Sequence, residues 1–314
     1  MALIIDSVSK RFGDVQALDG ISLEVKPGEV FGFLGANGAG KTTAMRLVLD
    51  ILRPDCGSIT WNGTPNTELP RETWGYLPEE RGLYAKMNVL EQLVFFAKLH
   101  GVKGKVAERE ARDWLTRFRI PEYADRRAEQ LSKGNQQKIQ FIAAIIHDPQ
   151  ILLMDEPFTG LDPVNASLLK EAFLEMKNQG KTIVFSTHQM ETVEELCESI
   201  AILDRGRVVV GGSVRDVRRS TGRQMVRVAV EGDPEMAWLG ALNGVTVTRR
   251  VQDYTEAEVS PGQDPGLILQ AALDSGHKVR HFELTDPSLE QVFIEHVGHL
   301  DTSERTLAPK AARK

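Results

Sequence analysis

One segment, residues 35–43, constrains the fold of this chain most, because it matches the phosphate-loop pattern G-x-x-x-x-G-K-[ST]. The apolar residues 30–34 predict a strand directly before it, and residues 44–52 predict a helix directly after it. Glycine amides in such a loop turn inward around phosphates, and the helix N-terminus adds a positive dipole end. Lys41 would bring its charge to the β- and γ-phosphates, and Thr42 would bind Mg²⁺. The candidate phosphate-binding residues are Gly35, Ala36, Asn37, Gly38, Ala39, Gly40, Lys41, Thr42 and Thr43.

Short apolar, β-branched runs alternate with helical patterns from residue 3 to about residue 211. This alternation favours an α/β fold whose sheet is mostly parallel in its core. Apolar spacing across residues 89–99 and 106–118 predicts an inserted helical subdomain at about residues 85–148. The predicted strands cover residues 3–5, 21–25, 30–34, 151–154, 182–185 and 200–203.

The pattern changes after Gly211 and Gly212, which mark a plausible domain boundary. A shorter βαβ-like series follows, so we predict a first domain over residues 1–212, a small α+β domain over 213–300 and a flexible tail over 301–314. The elements predicted in this series are strands at 225–230, 255–259 and 281–284 and helices at 266–273 and 287–297.

A pair of acids follows the apolar strand at residues 151–154. Buried strands of an α/β sheet end at its carboxyl edge, where an aspartate can reach a phosphate-bound metal. We assign Asp155 to Mg²⁺, directly or through water, and Glu156 to general-base or water-orienting work.

The charge balance of the 314 residues is 38 Lys and Arg against 44 Asp and Glu, a net charge of −6. This lacks the basic excess of a nucleic-acid-binding protein, so no nucleic-acid partner is predicted. Cys56 and Cys197 stand far apart, which indicates neither a disulfide framework nor a zinc cluster and fits a reducing cytoplasm. No apolar run approaches the roughly 18 residues of a transmembrane helix.

Further motifs carry a resemblance to a known family. Residues 131–137, Leu-Ser-Lys-Gly-Asn-Gln-Gln, resemble the LSGGQ signature of ABC transporter ATP-binding subunits. Residues 159–162 resemble the family's D-loop, His188 resembles its switch histidine, and Phe12 resembles the aromatic residue that stacks on adenine. The resemblance implies an α/β P-loop NTPase of ABC type with a helical subdomain, followed here by a small C-terminal α+β domain.

The resemblance also implies a site shared by two subunits, in a homodimer or a heterodimer with two ATP molecules at the interface. In the family, the signature residues face ATP held by the other subunit's phosphate loop. Glu156 would then orient the attacking water, His188 and Lys41 would contact the γ-phosphate, and Asp162 would cross the interface. The signature residues carried over are Ser132, Lys133, Gly134 and Asn135.

The same resemblance implies ATP hydrolysis that drives transport, with export favoured, through a separate membrane permease. The ATPase would sit peripherally on the cytoplasmic face of the membrane. A groove formed by residues 79–87 and the following helix is the implied permease contact. The transported substrate and the direction of transport stay open, and so does the role of the C-terminal domain.

Two residues depart from the common family pattern. Glu79 stands where the family usually has glutamine, and Lys133 replaces the glycine at the third signature position. A carboxylate near Mg²⁺ can bind it but repels phosphate, while Lys133 adds positive charge, so the two changes could offset each other. The alternative is that both side chains point to solvent. The variants resemble the bacterial subgroup of drug-resistance and sodium-export ATPases.

Three other functions compete with transport. An ABC-type ATPase that remodels DNA or ribosomes is expected to carry a second cassette or a long heptad insertion, and this sequence shows neither. A nucleotide kinase or GTPase would leave the signature-like residues 131–135 unexplained. A degenerate binding module is disfavoured because Lys41, Asp155, Glu156 and His188 are all present.

Overall fold

The chain divides into two compact units, Met1–Val214 and Arg215–Lys314. The domain boundary after residue 212 stays a prediction, and the predicted tail, residues 301–314, lies outside the described residues. The computed structural model describes residues 2–80, 82–233 and 235–298.

The first unit alternates strands and helices along the chain. Its strands are β1 (Leu3–Phe12), β2 (Val15–Val25), β3 (Val30–Leu34), β4 (Cys56–Trp61), β5 (Thr64–Pro65), β6 (Trp74–Leu77), β7 (Ile151–Asp155), β8 (Thr182–Thr187), β9 (Ser199–Asp204) and β10 (Arg207–Ser213). Its helices are α1 (Lys41–Val48), α2 (Val89–Leu99), α3 (Gly104–Arg117), α4 (Lys133–Ile145), α5 (Pro163–Asn178) and α6 (Met190–Leu196).

The central sheet has the strand order β10-β9-β3-β8-β7-β6. All of its neighbouring strands are parallel except β10, which pairs antiparallel with β9 at one edge. Every residue of β3, β7 and β8 is buried, as expected for strands covered on both faces. Leu34 lies beside Thr187 and Asp155 beside Ser186, so the segments that follow these three strands meet at one edge. The predicted α/β fold is confirmed.

A second sheet corrects the assignment of two predicted strands. The segments predicted at residues 3–5 and 21–25 extend to β1 and β2, which pair antiparallel in the order β2-β1-β4-β5. Burial alternates at the start of β1, where Leu3 and Ile5 enter the core and Ile4 is exposed. Such alternation is typical of an antiparallel sheet with one solvated face.

Helix α1 begins at Lys41 and ends at Val48, so the predicted range of 44–52 was shifted toward the C-terminus. Asp50 has a φ of +53°, and a right-handed helix cannot continue through this left-handed conformation. Helix α1 therefore starts directly at the phosphate loop.

Helices α2, α3 and α4 fall within residues 85–148, the range predicted for the helical subdomain. They pack through aromatic side chains: the rings of Phe118 and Phe141 meet edge to face with centroids 5.6 Å apart. The α3 range predicted at residues 106–118 begins earlier, at Gly104.

The second unit holds an antiparallel sheet, which corrects the predicted βαβ-like series. Its strand order is β12-β13-β11-β14, and it encloses a core that includes Val226, Val228 and Ile268. The sequence analysis missed β12, which a short turn at residues 251–254 joins to β13. A turn of this length cannot make a parallel crossover. The elements are α7 (Val214–Arg219), β11 (Gln224–Val230), β12 (Val245–Arg250), β13 (Thr255–Val259), α8 (Gly266–Asp274), β14 (Val279–Thr285) and α9 (Leu289–Gly298).

Candidate active site

The phosphate loop joins β3 to α1 and depends on a glycine at its last turn. Gly40 has a φ of +109°, and a Cβ placed there would lie 2.7 Å from the Ala17 carbonyl oxygen. Any larger residue would therefore need both a strained backbone and a displaced neighbour. This close approach brings β2 against the loop.

Lys41 is buried, with 7% of its surface exposed. Its Nζ donates to the carbonyl oxygens of Gly35, at 2.8 Å, and Ala36, at 3.1 Å. The ammonium group is thus held over the loop, where it can meet an anion bound by the loop amides.

Asp155 lies at the carboxyl end of β7 and is 1% exposed. Its Oδ2 accepts a hydrogen bond of 2.6 Å from Thr42 Oγ1, and its Oδ1 accepts one from Ser186 Oγ. The structure therefore brings together Thr42 and Asp155, two of the three residues predicted to bind Mg²⁺. A hydroxyl oxygen beside a carboxylate is a donor set that suits Mg²⁺.

Glu156 opens the loop after β7 with a φ of +51°, an uncommon conformation for a residue with a side chain. Its Oε1 lies 2.9 Å from His188 Nδ1, and Thr159 Oγ1 donates to its Oε2 at 3.2 Å. The glutamate side chain is 8% exposed, whereas that of His188 is 60% exposed. The carboxylate is therefore fixed between two partners, with the histidine at the open side.

A cavity of about 400 Å³ joins these groups. Of the predicted site residues it brings together six of the nine loop residues with Glu79, Asp155 and Glu156, whereas Gly35, Ala36 and Ala39 are not among its lining residues. Its lining is Val15, Gln16, Ala17, Asn37, Gly38, Gly40, Lys41, Thr42, Thr43, Glu79, Asp155 and Glu156.

Glu79 reaches this cavity on a loop that α4 holds in place. Gln140 Nε2 donates to the carbonyl oxygens of Pro78, at 2.8 Å, and Glu80, at 3.2 Å, one on each side of Glu79. Glu79 is exposed and lies among the residues that line the same cavity as Thr42, so its role toward Mg²⁺ stays a prediction.

Phe12 lies at the rim rather than in the wall of the cavity. It is 46% exposed and ends β1, and its paired neighbour Val15 lines the cavity. Lys10 Nζ lies 5.6 Å from the centroid of this ring, and the exposed part of the ring could stack on a planar group.

The signature residues and Asp162 lie elsewhere. None of them is among the lining residues of the cavity, although all belong to the part of the chain that the structure describes. Ser132 and Asp162 end two adjoining loops, and the other three form the first turn of α4. The loops adjoin because a Cβ on Gly134 would lie 3.7 Å from Leu161 Cδ2 and 3.8 Å from the Gly160 carbonyl oxygen. The set is Ser132, Lys133, Gly134, Asn135 and Asp162.

Each of these two loops ends in a helix cap. Ser132 Oγ accepts from the backbone N–H of Asn135 at 3.3 Å and begins α4, and Asp162 Oδ1 accepts from the N–H of Asn165 at 3.0 Å and begins α5. The bond from the Asn165 amide lowers the pKa of Asp162 below its usual value. Two helix N-termini therefore face the same region of the surface.

The sequence analysis missed Ser186 and Thr159 as site residues. Ser186 contacts Asp155 and Thr159 contacts Glu156. The position of Ser186, two residues before His188 on a buried strand, was a signal in the sequence, but only the strand register reveals its partner.

A second cavity, which from here on we call the groove, has a volume of about 280 Å³. Of the predicted permease contact, residues 79–87 and the following helix, it includes Gly82, Leu83 and Phe96. Beyond it, Tyr84 is 53% exposed and contacts the rings of Phe95 and Phe96. The lining is mostly apolar and aromatic, a composition typical of binding surfaces. The groove residues are Leu49, Ile51, Arg71, Trp74, Tyr76, Pro78, Gly82, Leu83, Phe96, His100, Gln140, Ala143, Ala144 and His147.

We expect His147 to make the free energy of unfolding depend on pH. Burial, together with the stacked ring of His100 at 3.9 Å, lowers the pKa of His147 from 6.5 to about 4, although the Trp74 carbonyl, Asp148 and Glu72 act to raise it. The unfolded chain then binds a proton more readily than the folded one, so the free energy of unfolding falls as pH falls from about 6.5 to about 4. Allowing for partial solvent exposure, we expect this loss to be about 1–2 kcal/mol.

Urea unfolding of the wild type and of His147→Gln, between about pH 7 and pH 4.5, measures this loss. The glutamine variant should lack this part of the acid destabilisation. Equal pH dependence in the two proteins would show that His147 is not its source.

Within residues 2–80, 82–233 and 235–298, none of the helices combines the length and the hydropathy of a transmembrane span.

Comparisons with known proteins agree with this geometry. Residues 18–159 match the family described as ABC transporter, and residues 212–297 match the family described as ATP-binding protein DrrA1-3-like, C-terminal domain. The uncharacterized ABC transporter ATP-binding protein YhaQ of Bacillus subtilis (strain 168) is 46% identical over 296 residues, which cover 94% of this chain and 98% of YhaQ.

Two further matches add to these. The Nod factor export ATP-binding protein I of Rhizobium etli is 33% identical over 310 residues, covering 95% of this chain and 93% of that protein. A solved structure of the ATP-binding subunit of an ABC transporter has 32% identity and a TM-score of 0.66, and the match covers 71% of this chain and 94% of that one.

Proposed function

The chain belongs to the ABC transporter ATP-binding proteins, in the group with a DrrA-like C-terminal domain, and is an ATPase. We propose that its ATP hydrolysis drives export through a separate membrane permease. The observation that supports ATP hydrolysis as the driving reaction is the cavity at the carboxyl edge of the central sheet. There Lys41, Thr42, Asp155 and Glu156 line one space, and His188 holds Glu156.

ATP would bind with its phosphates in the loop and its adenine against Phe12. The loop amides and Lys41 would hold the β- and γ-phosphates. Mg²⁺, when bound, would neutralise charge on these phosphates, and the residues placed to hold it are Thr42, Asp155 and Glu79.

Hydrolysis would depend on the fixed carboxylate of Glu156. Its two hydrogen bonds leave it little freedom, so it can orient one water toward the γ-phosphorus and accept its proton. His188, on the open side, would contact the γ-phosphate, and Lys41 would stabilise the charge that develops on the phosphate oxygens.

A second subunit would complete the site. Ser132, Gly134 and Asp162 lie outside this chain's own cavity, and the capped N-terminus of α4 is suited to an anion. We therefore place the signature residues against ATP held by a partner, as the family resemblance implied. Lys133 would then approach the triphosphate near the partner's Glu79, so that their charges offset each other.

The groove would receive the permease. It is mostly apolar and has exposed aromatic side chains at its edge, as a docking surface requires. Pro78 and Gln140 line the groove and also contact each other beside Glu79, so they would connect a bound permease to the nucleotide cavity. The chain would thus lie peripherally on the cytoplasmic face of the membrane.

Export rather than import is supported by the name of its relative from Rhizobium etli. Residues 1–212 would form the ATPase domain and 213–300 the accessory domain.

Copurification tests this assignment. The neighbouring genes are searched for a multi-spanning membrane protein, the chain is coexpressed with that candidate permease, and the complex is isolated in detergent. We expect Leu83→Glu, in the groove, to lower the copurified fraction about tenfold or more, because a buried unpaired charge is costly.

Leu174→Glu on α5 is the matched control, since Leu174 is 44% exposed and does not line the groove. It should copurify like the wild type. Nucleotide binding by each isolated variant checks its fold. Equal losses in both variants, or none in Leu83→Glu, would contradict docking at the groove.

A further inference from the structure

Ser186 stands at the centre of the sheet edge that carries the active site. Strand β8 lies between β3 and β7, and the register pairs Ser186 with Asp155. Paired residues of neighbouring strands direct their side chains to the same face of the sheet. Ser186 is fully buried and is not among the residues that line the nucleotide cavity.

The Ser186 hydroxyl makes two hydrogen bonds at once. It donates to Asp155 Oδ1, and it accepts from the backbone N–H of Glu156 at 3.2 Å. One proton and two lone pairs allow a hydroxyl both roles. Since Thr42 occupies the other carboxylate oxygen, Asp155 is fixed from both sides.

The backbone of Ser186 adds a third contact to the same point. Its carbonyl oxygen also accepts from the Glu156 N–H, at 3.1 Å. Glu156 holds a φ of +51°, a conformation that persists only where the surroundings determine it. The two contacts from Ser186 hold the backbone amide of Glu156 in this conformation. From there the Glu156 side chain reaches His188.

We propose that Ser186 is a positioning residue for ATP hydrolysis, whose hydroxyl fixes the metal-site carboxylate of Asp155 and the water-orienting Glu156 in one mutual orientation. This proposal rests on the roles assigned to Asp155 and Glu156 above. Ser186 is not among the residues that line the nucleotide cavity, so it would act through these two residues.

Removal of the hydroxyl should affect the chemical step more than binding. For Ser186→Ala we expect kcat to fall about 10- to 100-fold, because small misplacements of a catalytic group cost this much. The KM for ATP should change less than about threefold, since the loop and Lys41 stay in place. Ser186→Cys, which fills the same space but donates and accepts weakly, should show the same separation.

Two measurements separate positioning from a general loss of structure. Titration with a fluorescent ATP analogue in the absence of Mg²⁺ gives the concentration of subunits that bind nucleotide, and each ATPase rate is divided by that concentration. Thermal unfolding is measured separately for each variant. Thr182→Ala is the control, because its buried hydroxyl lies at the far end of β8 and accepts from the Gly28 N–H. It should keep kcat per binding subunit within about twofold.

The outcomes are distinguishable. A wild type without ATPase activity would overturn the proposed function itself. If the wild type is active and Glu156→Gln is inactive, but both Ser186 variants keep a kcat near that of the wild type, only the role of Ser186 is overturned. An equal loss in Thr182→Ala, or a loss of analogue binding that matches the loss of kcat, would also overturn it.

Discussion

Replacing Glu156 by glutamine is expected to leave ATP binding intact and to lower turnover by about 100-fold or more. Glutamine has nearly the same shape, and its amide can still contact Thr159 and His188. What it lacks is the negative charge that orients the water and accepts its proton. Only the transition state needs that charge, so kcat should fall while nucleotide affinity stays.

The same substitution should also stabilise a dimer in the presence of ATP, because bound ATP is no longer removed. Steady-state ATPase assays and size-exclusion chromatography with ATP measure the two effects. Glu191→Gln, an exposed change at the start of α6, is the control and should behave like the wild type. A turnover of Glu156→Gln within about threefold of the wild type would remove Glu156 from the chemistry.

The part of the fold that supports Glu156 could be predicted because its strands are apolar at every position. Strands covered on both faces give uninterrupted apolar runs, and the residue after such a run falls at the carboxyl edge of the sheet. This argument predicted Asp155 and Glu156 at the carboxyl edge, whereas the phosphate loop was predicted from its motif and His188 from the family resemblance. The strand register then brings Asp155 beside Ser186.

The strands of the two antiparallel sheets were harder to predict from the sequence. Polar residues interrupt β1, so only Leu3–Ile5 looked like a strand, and β12 carries alternating threonines that do not form an apolar run. Half-buried strands give weak patterns, and their pairing depends on turns and packing. The C-terminal sheet was therefore assigned the wrong connectivity.

The hydrogen bonds of the site could not be predicted for a different reason. Ser186 contacts Asp155 across 31 positions of sequence, and Gln140 holds the loop around Glu79 across about 60. Neither pair forms a local motif. Such contacts follow from strand register and helix packing, which a single sequence does not specify.

Ser132→Arg is expected to suppress hydrolysis without weakening ATP binding by the isolated monomer. Ser132 does not line the monomer's own cavity, so a larger side chain there leaves the phosphate loop untouched. At a shared interface the same side chain would occupy space that the partner's ATP needs. Equilibrium binding of a fluorescent ATP analogue and steady-state ATPase assays measure the two quantities.

Ser132→Ala is the matched control for the cap. Both changes remove the hydroxyl that accepts from the Asn135 N–H, at a cost of about 1 kcal/mol to α4, but only arginine adds bulk and charge. Alanine should therefore retain much more activity than arginine. If Ser132→Arg abolished nucleotide binding by the monomer, the assignment of Ser132 to a partner's site would be wrong.

Mixing Ser132→Arg with Lys41→Ala distinguishes a shared site from a site within one chain. If the chain pairs with itself, as we propose, each variant alone would form dimers in which both sites carry a lesion. In the mixed dimer one site combines the Lys41→Ala loop with the Ser132→Arg signature, and the other site has neither change. Random pairing makes about half of the dimers mixed, so we expect recovery of about a quarter of wild-type activity in a two-fold symmetric enzyme, unless hydrolysis requires two intact sites. If each signature instead served the cavity of its own chain, every site in the mixture would keep one lesion, and mixing would restore nothing.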